Sequence, residues 1–418
     1  MSRQSSPSAM DLLAAVAKHR DTHHAFQYLH LRETQFQRWH EAVVQIPAPP
    51  FGEADRSRWL SDRFLELGLS NVETDAEGNT LATLPGRSDK QSAGDATVML
   101  SAHLDTVFPV DTPLGIRYEG NKLCTPGAAD NCAGLVALLA VAAALKSAKV
   151  CPSATILFAG TVGEEGEGNL RGMRALFPSP RTRSVRACIV LDGAGTTHAV
   201  SHALGSRRYE VTVSGPGGHA WTDSQRPNPI VVLGQAMAAF AAKPLPEEPR
   251  TSVNFGTIAG GTAVNAIPES VTARVDIRSE DFEEIIRQEV RLHRTVEDAV
   301  LAARQDARIR LRHRIVIIGE RPSGQLPESS CLAHAMRAVD RHLQLRTRWR
   351  MASTDANIPL SMGIAAIAVG GGGSGGGAHT LEEWYDPAGR ELALRRILLL
   401  LLTVSEQLAV GAAEEPVR

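Results

Sequence analysis

The composition of the sequence excludes several classes of protein before any motif is considered. Its 418 residues include only five cysteines, an odd number with no CxxC spacing, which predicts free thiols and not a disulfide framework or a zinc knuckle. The formal net charge is only -2, so nothing in the charge favours a nucleic-acid partner. The most apolar segment, residues 397–404, is far shorter than the ~20 residues that span a bilayer, so no membrane partner is expected.

The N-terminal segment lacks the sustained apolar stretch of a secretory signal, and we therefore expect a cytoplasmic protein. Hydrophobic residues make up 43% and charged residues 22%, which is typical of a globular chain. At this length two domains are the natural expectation. The short apolar segment after Arg395 and Arg396 predicts a buried helix.

From Ala96 onward, apolar runs of strand length alternate with helical patterns. The runs that end in Gly or Asp and carry β-branched residues are ATVMLSAHLD, ATILFAGT, ACIVLDGAG and IAAIAVGGG. Between the first two, the segment DNCAGLVALLAVAAALKSA predicts a helix capped by Asp130 or Asn131. The alternation predicts a three-layer α/β domain with helices on both faces of a mostly parallel sheet.

A different pattern interrupts this domain between residues 207 and 319. Strands with half-exposed alternation and two long helices follow each other in the order strand–helix–strand–strand–helix–strand. This order predicts an inserted α+β domain of ferredoxin type. The first domain would then consist of residues 1–206 and 320–418.

Polar side chains follow the predicted strands at the points where they end. In an open α/β sheet, ligands bind at the carboxyl ends of the strands. Histidine and carboxylate side chains are the N and O ligands that Zn²⁺ and similar ions prefer. The residues concerned are His103, Asp105, Asp130, Glu164, Glu165, Asp192 and His379.

Each of these residues has a simpler explanation when it is taken alone. A histidine at a strand end is more often a hydrogen-bonded structural residue than a ligand. Asp130 is in the position of a helix N-cap, and Asp192 is in that of a turn residue. Glu164 and Glu165 would be ordinary surface charges. Their joint placement at strand ends, beside glycines that allow close backbone approach, favours a shared metal site.

The ordered motifs resemble those of the M20 family of dinuclear metallopeptidases and deacylases, which includes tripeptidase T, glutamate carboxypeptidase and acetylornithine deacetylase. The motifs are SAHLDTVFP, GAADNCAG, GTVGEEGEG, VLDGAG, SGPGGHAW and GGGAHTLEEW. The resemblance implies two divalent metal ions, zinc above all, with manganese or cobalt as alternatives. It makes His103 and Asp192 ligands of one ion and Glu165 and His379 ligands of the other, with Asp130 bridging them.

The resemblance also implies the catalytic residues. Asp105 would orient the His103 imidazole, and Glu164 would be the general base. In the inserted domain, His219 resembles the family histidine that donates to the oxyanion, often from the partner subunit. Asn265 and Arg278 match positions that hold the carbonyl and the terminal carboxylate of the substrate. Without the resemblance, Asn265 would be a turn residue and Arg278 a strand-edge charge.

The function that these features predict is a metal-dependent exopeptidase, tripeptidase-like, that acts on small peptides and forms a homodimer through the inserted domain. The alternative within the family is a deacylase or amidohydrolase of N-acyl amino acids. A remote alternative is a non-catalytic binding relative, which would be expected to lack a ligand or the base. The glycine-rich run at residues 370–377 predicts either a mobile connection or backbone along the substrate path. Ser353–Asp355 resembles a family loop near the substrate, without an assigned role.

Overall fold

The computed structural model describes residues 7–87, 96–303 and 311–411. The chain divides into two compact units, one formed by Met1–Ala203 with Gly324–Arg418 and the other by Leu204–Ser323. Each unit has a hydrophobic core of its own. None of the described helices combines the length and the apolar character needed to cross a bilayer.

The helices and strands fall into three consecutive blocks along the chain. The first part of the first unit contains α1 (Ala9–Lys18), α2 (Arg20–Leu31), α3 (Glu33–Val44), α4 (Ala54–Glu66), β1 (Ser70–Thr74), β2 (Thr80–Leu84), β3 (Thr97–His103), β4 (Arg117–Glu119), β5 (Lys122–Cys124), α5 (Cys132–Ser147), β6 (Thr155–Thr161), α6 (Arg171–Leu176), β7 (Val185–Leu191) and β8 (His198–Ala203). The second unit contains β9 (Gly205–Ser214), β10 (Gly218–His219), α7 (Pro229–Ala241), β11 (Thr251–Gly260), β12 (Ala266–Ile267), β13 (Ser270–Ser279), α8 (Phe282–Ala302) and β14 (Arg312–Arg321). The first unit then resumes with β15 (Gly324–Gln325), α9 (Cys331–His342), β16 (Arg348–Ala352), α10 (Asn357–Ser361), β17 (Ala365–Val369), β18 (Ser374–Gly376), β19 (Trp384–Asp386) and α11 (Arg390–Gly411).

The first unit is built on a nine-stranded sheet in the order β1-β2-β6-β3-β7-β17-β8-β15, with β16 also paired to β8. The predicted α/β class is confirmed, but the sheet is mixed. The central strands β6, β3, β7 and β17 are parallel neighbours, whereas β1, β2, β8 and β15 pair antiparallel around them. The central strands are the apolar runs found in the sequence, because strands covered on both faces are apolar along nearly their whole length.

Two very apolar helices, α5 and α11, pack against each other, and α11 and α5 also contact β3. Along α5 every residue from Cys132 to Leu145 is buried, and the Asn131 side chain caps the helix by accepting from the Gly134 N–H at 3.2 Å. In α11 the leucine run 398–401 is buried as well. The short apolar segment near the C-terminus is therefore a buried helix, as predicted.

The second unit is an antiparallel sheet of four strands in the order β11-β13-β9-β14, with α7 and α8 packed on it and on each other. The strand order and the order of elements along the chain are those of a ferredoxin-like fold, as predicted. In β13 alternate residues are buried, because only one face of this sheet is covered by helices. A separate two-residue ribbon joins β10 to β12.

Helix α11 offers a matched pair of leucines for a test of this packing. Leu394 is 0% exposed and Leu392 is 40% exposed on the same helix. We expect Leu394→Ala to lower the free energy of unfolding by about 2–5 kcal/mol, because it leaves a cavity in a close-packed core. Leu392→Ala is expected to change it by about 0.5 kcal/mol at most. Urea denaturation followed by circular dichroism measures both, and equal losses would contradict the burial of Leu394 in the core.

Candidate metal centre

The polar residues predicted at the strand ends lie at one edge of the central sheet. β3 ends with His103, β7 is followed at once by Asp192, and Glu164 and Glu165 come shortly after the end of β6. Because β6, β3 and β7 are parallel neighbours, their carboxyl ends meet at the same edge. Asp130 reaches this edge from the turn before α5.

The ligand atoms of these residues form compact groups. In each group the nitrogen or oxygen atoms lie within 4.8 Å of one another. Two of the groups share Asp130, and the third holds the adjacent glutamates next to His103. The groups are His103 with Asp130 and Asp192, Asp130 with Glu165 and His379, and His103 with Glu164 and Glu165.

Asp130 lies between the two imidazoles. Its Oδ1 is 3.1 Å from Nε2 of His103, and its Oδ2 is 3.2 Å from Nε2 of His379. His379 Nε2 is also 3.0 Å from Oε1 of Glu165, and His103 Nε2 is 3.9 Å from Oδ1 of Asp192. A carboxylate that offers one oxygen to each of two donor groups has the arrangement of a bridging ligand.

The other nitrogen of His103 fixes the orientation of its ring. Nδ1 lies 3.0 Å from the main-chain oxygen of Asp105, which can only accept, so Nδ1 carries the hydrogen and Nε2 faces the cluster. The Asp105 carboxylate is farther away, with Oδ1 at 3.6 Å. Asp105 was predicted to orient the His103 ring, and the atom of Asp105 nearest to Nδ1 is its main-chain oxygen.

The Asp105 carboxylate has a further task that the sequence did not suggest. Its two oxygens accept hydrogen bonds from the main-chain N–H groups of Glu164 and Glu165, at 3.0 and 2.7 Å. Asp105 is 0% exposed, so these bonds are made away from water. They fix the backbone of the adjacent glutamates and hence the directions in which the two side chains leave it.

Two residues that sequence reasoning missed support the metal ligands. Asn131 donates to the Leu191 oxygen at 2.9 Å and accepts from the Gly193 N–H at 3.0 Å, so it holds the backbone on both sides of Asp192. Glu383 accepts from the N–H of Asp130 itself at 2.8 Å. The signal in the sequence was that each lies within a motif already noted, DNCAG for Asn131 and AHTLEEW for Glu383, and that Asn131 was a candidate helix cap.

The glycine-rich run packs against the segment that carries Asp192. The Asp192 N–H donates to the Val369 oxygen at 2.9 Å, and the Gly371 N–H donates to the Gly193 oxygen at 2.8 Å. A Cβ atom at Gly370 would lie 2.4 Å from the main-chain oxygen of Gly195. The run therefore packs backbone to backbone against the segment that carries Asp192, and glycine is required for this approach.

Asp355, in the other segment left without a role, lies behind the cluster. Its Oδ2 accepts a hydrogen bond from Oγ1 of Thr161, the last residue of β6, at 2.5 Å. The Asp355 side chain is buried, and its charge adds to the effects that raise the pKa of Asp192. Asp355 thus contributes to the negative potential of the site from the side of β6.

The clustering of acidic side chains changes the pKa values of the residues in the site. Burial, together with the negative charge of Asp130, raises the pKa of Asp192 to about 7. Hydrogen bonds to Asp130 and Glu165 raise the pKa of His379 to about 10. Burial acts to lower the pKa of His103, but Asp105 and Asp130 outweigh it and hold this pKa well above its usual range. In the protein alone, protons on the histidines offset the charge of the carboxylates.

This donor set fits divalent metal ions. Two imidazoles and three carboxylates converge, and among the residues that the structure describes no lysine or arginine forms an ion pair with any of them. Buried carboxylates need a compensating cation, and here only the histidines supply one. The two groups that share Asp130 offer positions for two divalent ions.

The residues predicted in the inserted domain lie in the second unit, at two places. His219 pairs with Ala266 in the β10–β12 ribbon, and Asn265 comes directly before β12, where its main-chain oxygen accepts from the Ala220 N–H at 3.0 Å. Arg278 lies near the far end of β13, eight residues and about 27 Å of extended strand beyond its start. There its Nε is 2.6 Å from Oδ2 of Asp276. The structure therefore separates Arg278 from the other two.

Comparison with known proteins identifies the class to which this architecture belongs. The model of peptidase family M20/M25/M40 matches residues 99–403, which is well over half of the chain. The chain belongs to this family.

Individual relatives are more distant. The chain is 28% identical to the Bacillus subtilis protein YqjE over 57% of its length and to a probable carboxypeptidase of Emericella nidulans over the same share. It spans less than two thirds of these relatives, 64% and 61% of their lengths. In fold it is similar to a tripeptidase from Staphylococcus aureus, with a TM-score of 0.74, 21% identity and coverage of 90% of this chain and 99% of that one.

The raised pKa of His379 predicts that metal binding releases protons. With a pKa of about 10 the metal-free imidazole is protonated at pH 7.5, whereas a metal ion binds only the neutral ring. Metal affinity should therefore rise with pH until about pH 10, about tenfold per unit for each proton released.

Isothermal titration calorimetry of the metal-free protein, in buffers of different ionisation enthalpy, counts these protons. His379→Ala should lower the number released at pH 7.5 by about one. Heats that do not depend on the buffer would contradict the assignment of His379 as a protonated residue that the metal ion deprotonates.

Proposed function

We propose that this protein is a metal-dependent hydrolase that cleaves the amide bonds of small peptides, acting as a tripeptidase-like exopeptidase. The observation that carries the proposal is the position of Asp130 between two imidazoles, next to the adjacent glutamates. Family membership supports the same chemistry. The proposal includes a cytoplasmic location, as the sequence predicts.

The residues proposed to hold the ions fall into two groups joined by Asp130. His103 and Asp192 complete one position, and Glu165 and His379 complete the other, in agreement with the groups of ligand atoms within 4.8 Å. Imidazole and carboxylate donors suit Zn²⁺, our first choice, as well as Mn²⁺ or Co²⁺. When bound, a pair of such ions supplies a water of lowered pKa and polarises the carbonyl of the substrate.

Glu164 is the proposed general base. It is 5% exposed, and its ligand oxygen lies in the same compact group as His103 and Glu165. The main-chain N–H of Glu164 donates to the Asp105 carboxylate, and this bond fixes the backbone from which the Glu164 side chain extends. In this role Glu164 takes a proton from the attacking water and returns it to the leaving nitrogen.

His219 is the proposed donor to the oxyanion. Its Nδ1 accepts from the main-chain N–H of Trp221 at 3.2 Å, so in the neutral ring Nε2 carries the hydrogen and can donate it. Asn265, which directly precedes β12, would contact the substrate carbonyl. Arg278 would bind the terminal carboxylate, with a guanidinium that Asp276 already orients. The proposal includes a homodimer in which His219 serves the site of the partner.

We favour small peptides over N-acyl amino acids as the substrates. Two of the similar proteins, a probable carboxypeptidase and a tripeptidase, support this choice. Deacylation of N-acyl amino acids remains the second candidate, because the same ligands and the same base would cleave either amide. The two candidates differ only in the group on the acyl side of the bond.

Glu164→Gln tests the general base. The variant should keep both metal ions and lose hydrolysis by about 10²- to 10⁴-fold, because an amide cannot accept the proton. Glu167→Gln is the matched control, since Glu167 is an exposed glutamate in the same loop. The measurements are metal content and kcat on the same preparations. Undiminished turnover by the Glu164→Gln variant would overturn the assignment.

Removal of the metal ions, combined with a substrate panel, tests the function as a whole. A chelator should abolish hydrolysis, and added Zn²⁺, Mn²⁺ or Co²⁺ should restore it. Di- and tripeptides should be better substrates by kcat/KM than N-acetyl, N-succinyl and N-carbamoyl amino acids. A preference for the acylated amino acids would favour the second candidate, and turnover that resists the chelator would contradict the metal-dependent mechanism.

A further inference from the structure

Glu383 is a buried carboxylate outside the predicted ligand set. It is 0% exposed, and it follows His379 by four residues in the segment between the glycine-rich run and β19. Its oxygens accept main-chain hydrogen bonds at 2.8 Å from the N–H groups of Gly127, Ala129 and Asp130. A buried carboxylate needs such donors, and here the turn before α5 supplies all three.

These contacts join the two segments that carry Asp130 and His379. The main chain adds to them, since the Thr125 N–H donates to the Glu383 oxygen at 3.0 Å and the Glu383 N–H donates to the Thr380 oxygen at 3.2 Å. The position of Asp130 relative to His379 therefore depends on Glu383. Asp130 is the bridging carboxylate, and Nε2 of His379 lies 3.2 Å from its Oδ2.

A second side chain also holds this turn. Nε2 of His40 lies 2.7 Å from the main-chain oxygen of Ala128, the residue between two of the donors to Glu383. Burial, assisted by the charge of Arg390, lowers the pKa of His40 to about 3, so the ring is neutral and donates from Nε2. Glu383 thus binds N–H groups of this short turn, and His40 binds one of its carbonyl oxygens.

The chemistry at Glu383 requires a carboxylate. Both oxygens act only as acceptors, with Oε2 facing Gly127 and Oε1 facing Ala129 and Asp130. A glutamine of the same shape would place an NH₂ group against at least one of these N–H groups. Two facing donors repel each other, and the turn must shift to relieve the contact.

We propose that Glu383 is a positioning residue that sets the place of the bridging carboxylate Asp130 and thereby couples the two metal positions. This inference rests on the two-metal site of the proposed function. Residues that orient metal ligands from behind change metal affinity by about 10- to 100-fold when they are replaced. Glu383 acts on the main chain of Asp130 and does not touch the substrate.

The test compares Glu383→Gln with Glu382→Gln in the full-length protein. Glu382 is the matched control, because its side chain is 84% exposed and adjacent in sequence. Zn²⁺ binding to the metal-free proteins is measured by competition with a chromophoric chelator. Electron paramagnetic resonance of the proteins loaded with two Co²⁺ ions reports whether the ions are magnetically coupled through a shared ligand.

We expect Glu383→Gln to bind Zn²⁺ about 10- to 100-fold more weakly and to lose the coupling of the Co²⁺ pair, with cooperative unfolding of the metal-free form preserved. Glu383→Asp keeps the charge but is one methylene shorter, so it should also lose affinity. Glu382→Gln should behave like the original protein. Affinity and coupling that are unchanged in a folded Glu383→Gln protein would overturn the inference.

Other outcomes are decisive as well. If neither Glu383 variant folds without metal, the role of Glu383 is structural and the inference is wrong. A failure of the proposed function has a different signature, because the unsubstituted protein itself would then bind no metal or hydrolyse no amide. An unsubstituted protein that binds two ions, beside a Glu383→Gln protein that binds them equally well, would refute the positioning role alone.

Discussion

The arrangement of the candidate metal centre depends on one carboxylate, Asp130, that offers an oxygen to each of two imidazoles. No single element can fix such a group, because its partners come from distant parts of the chain, the end of β3 and the segment before β19. The position is instead set by main-chain hydrogen bonds from several directions. Asn131 ties the start of α5 to the backbone around Asp192, and Glu383 ties the preceding turn to the segment of His379.

The electrostatics of the site explain why so much apolar structure surrounds it. Several carboxylates brought together in a poorly hydrated place repel one another and favour protonated forms, as the raised pKa of Asp192 indicates. The buried helices α5 and α11 and the central strands form the packed core that holds these carboxylates in place despite their repulsion. Divalent ions bound between these carboxylates would offset the repulsion.

The sequence was sufficient to predict the central strands and the residues at their ends. Buried parallel strands have a near-continuous apolar pattern, and polar residues at their exits stand out against it. The antiparallel strands β8 and β15 were missed because neither carries such a pattern. The support given by Glu383, and by the Asp105 carboxylate to the two glutamates, could not be predicted, because both act on main-chain N–H groups that every residue type except proline has.

The glycine-rich run has a consequence for how the chain can change. Because the backbone around Gly370 and Gly371 touches neighbouring main-chain atoms, residues with side chains are sterically barred there. The hydrogen bonds of Val369 and Gly371 to the Asp192 segment also fix the number of residues between them. A stretch of such low complexity resembles a linker that tolerates changes in length. Insertion or deletion of a single residue between Val369 and Gly371 would nevertheless displace the hydrogen bonds that hold the Asp192 segment. Its length is therefore under as much constraint as its composition.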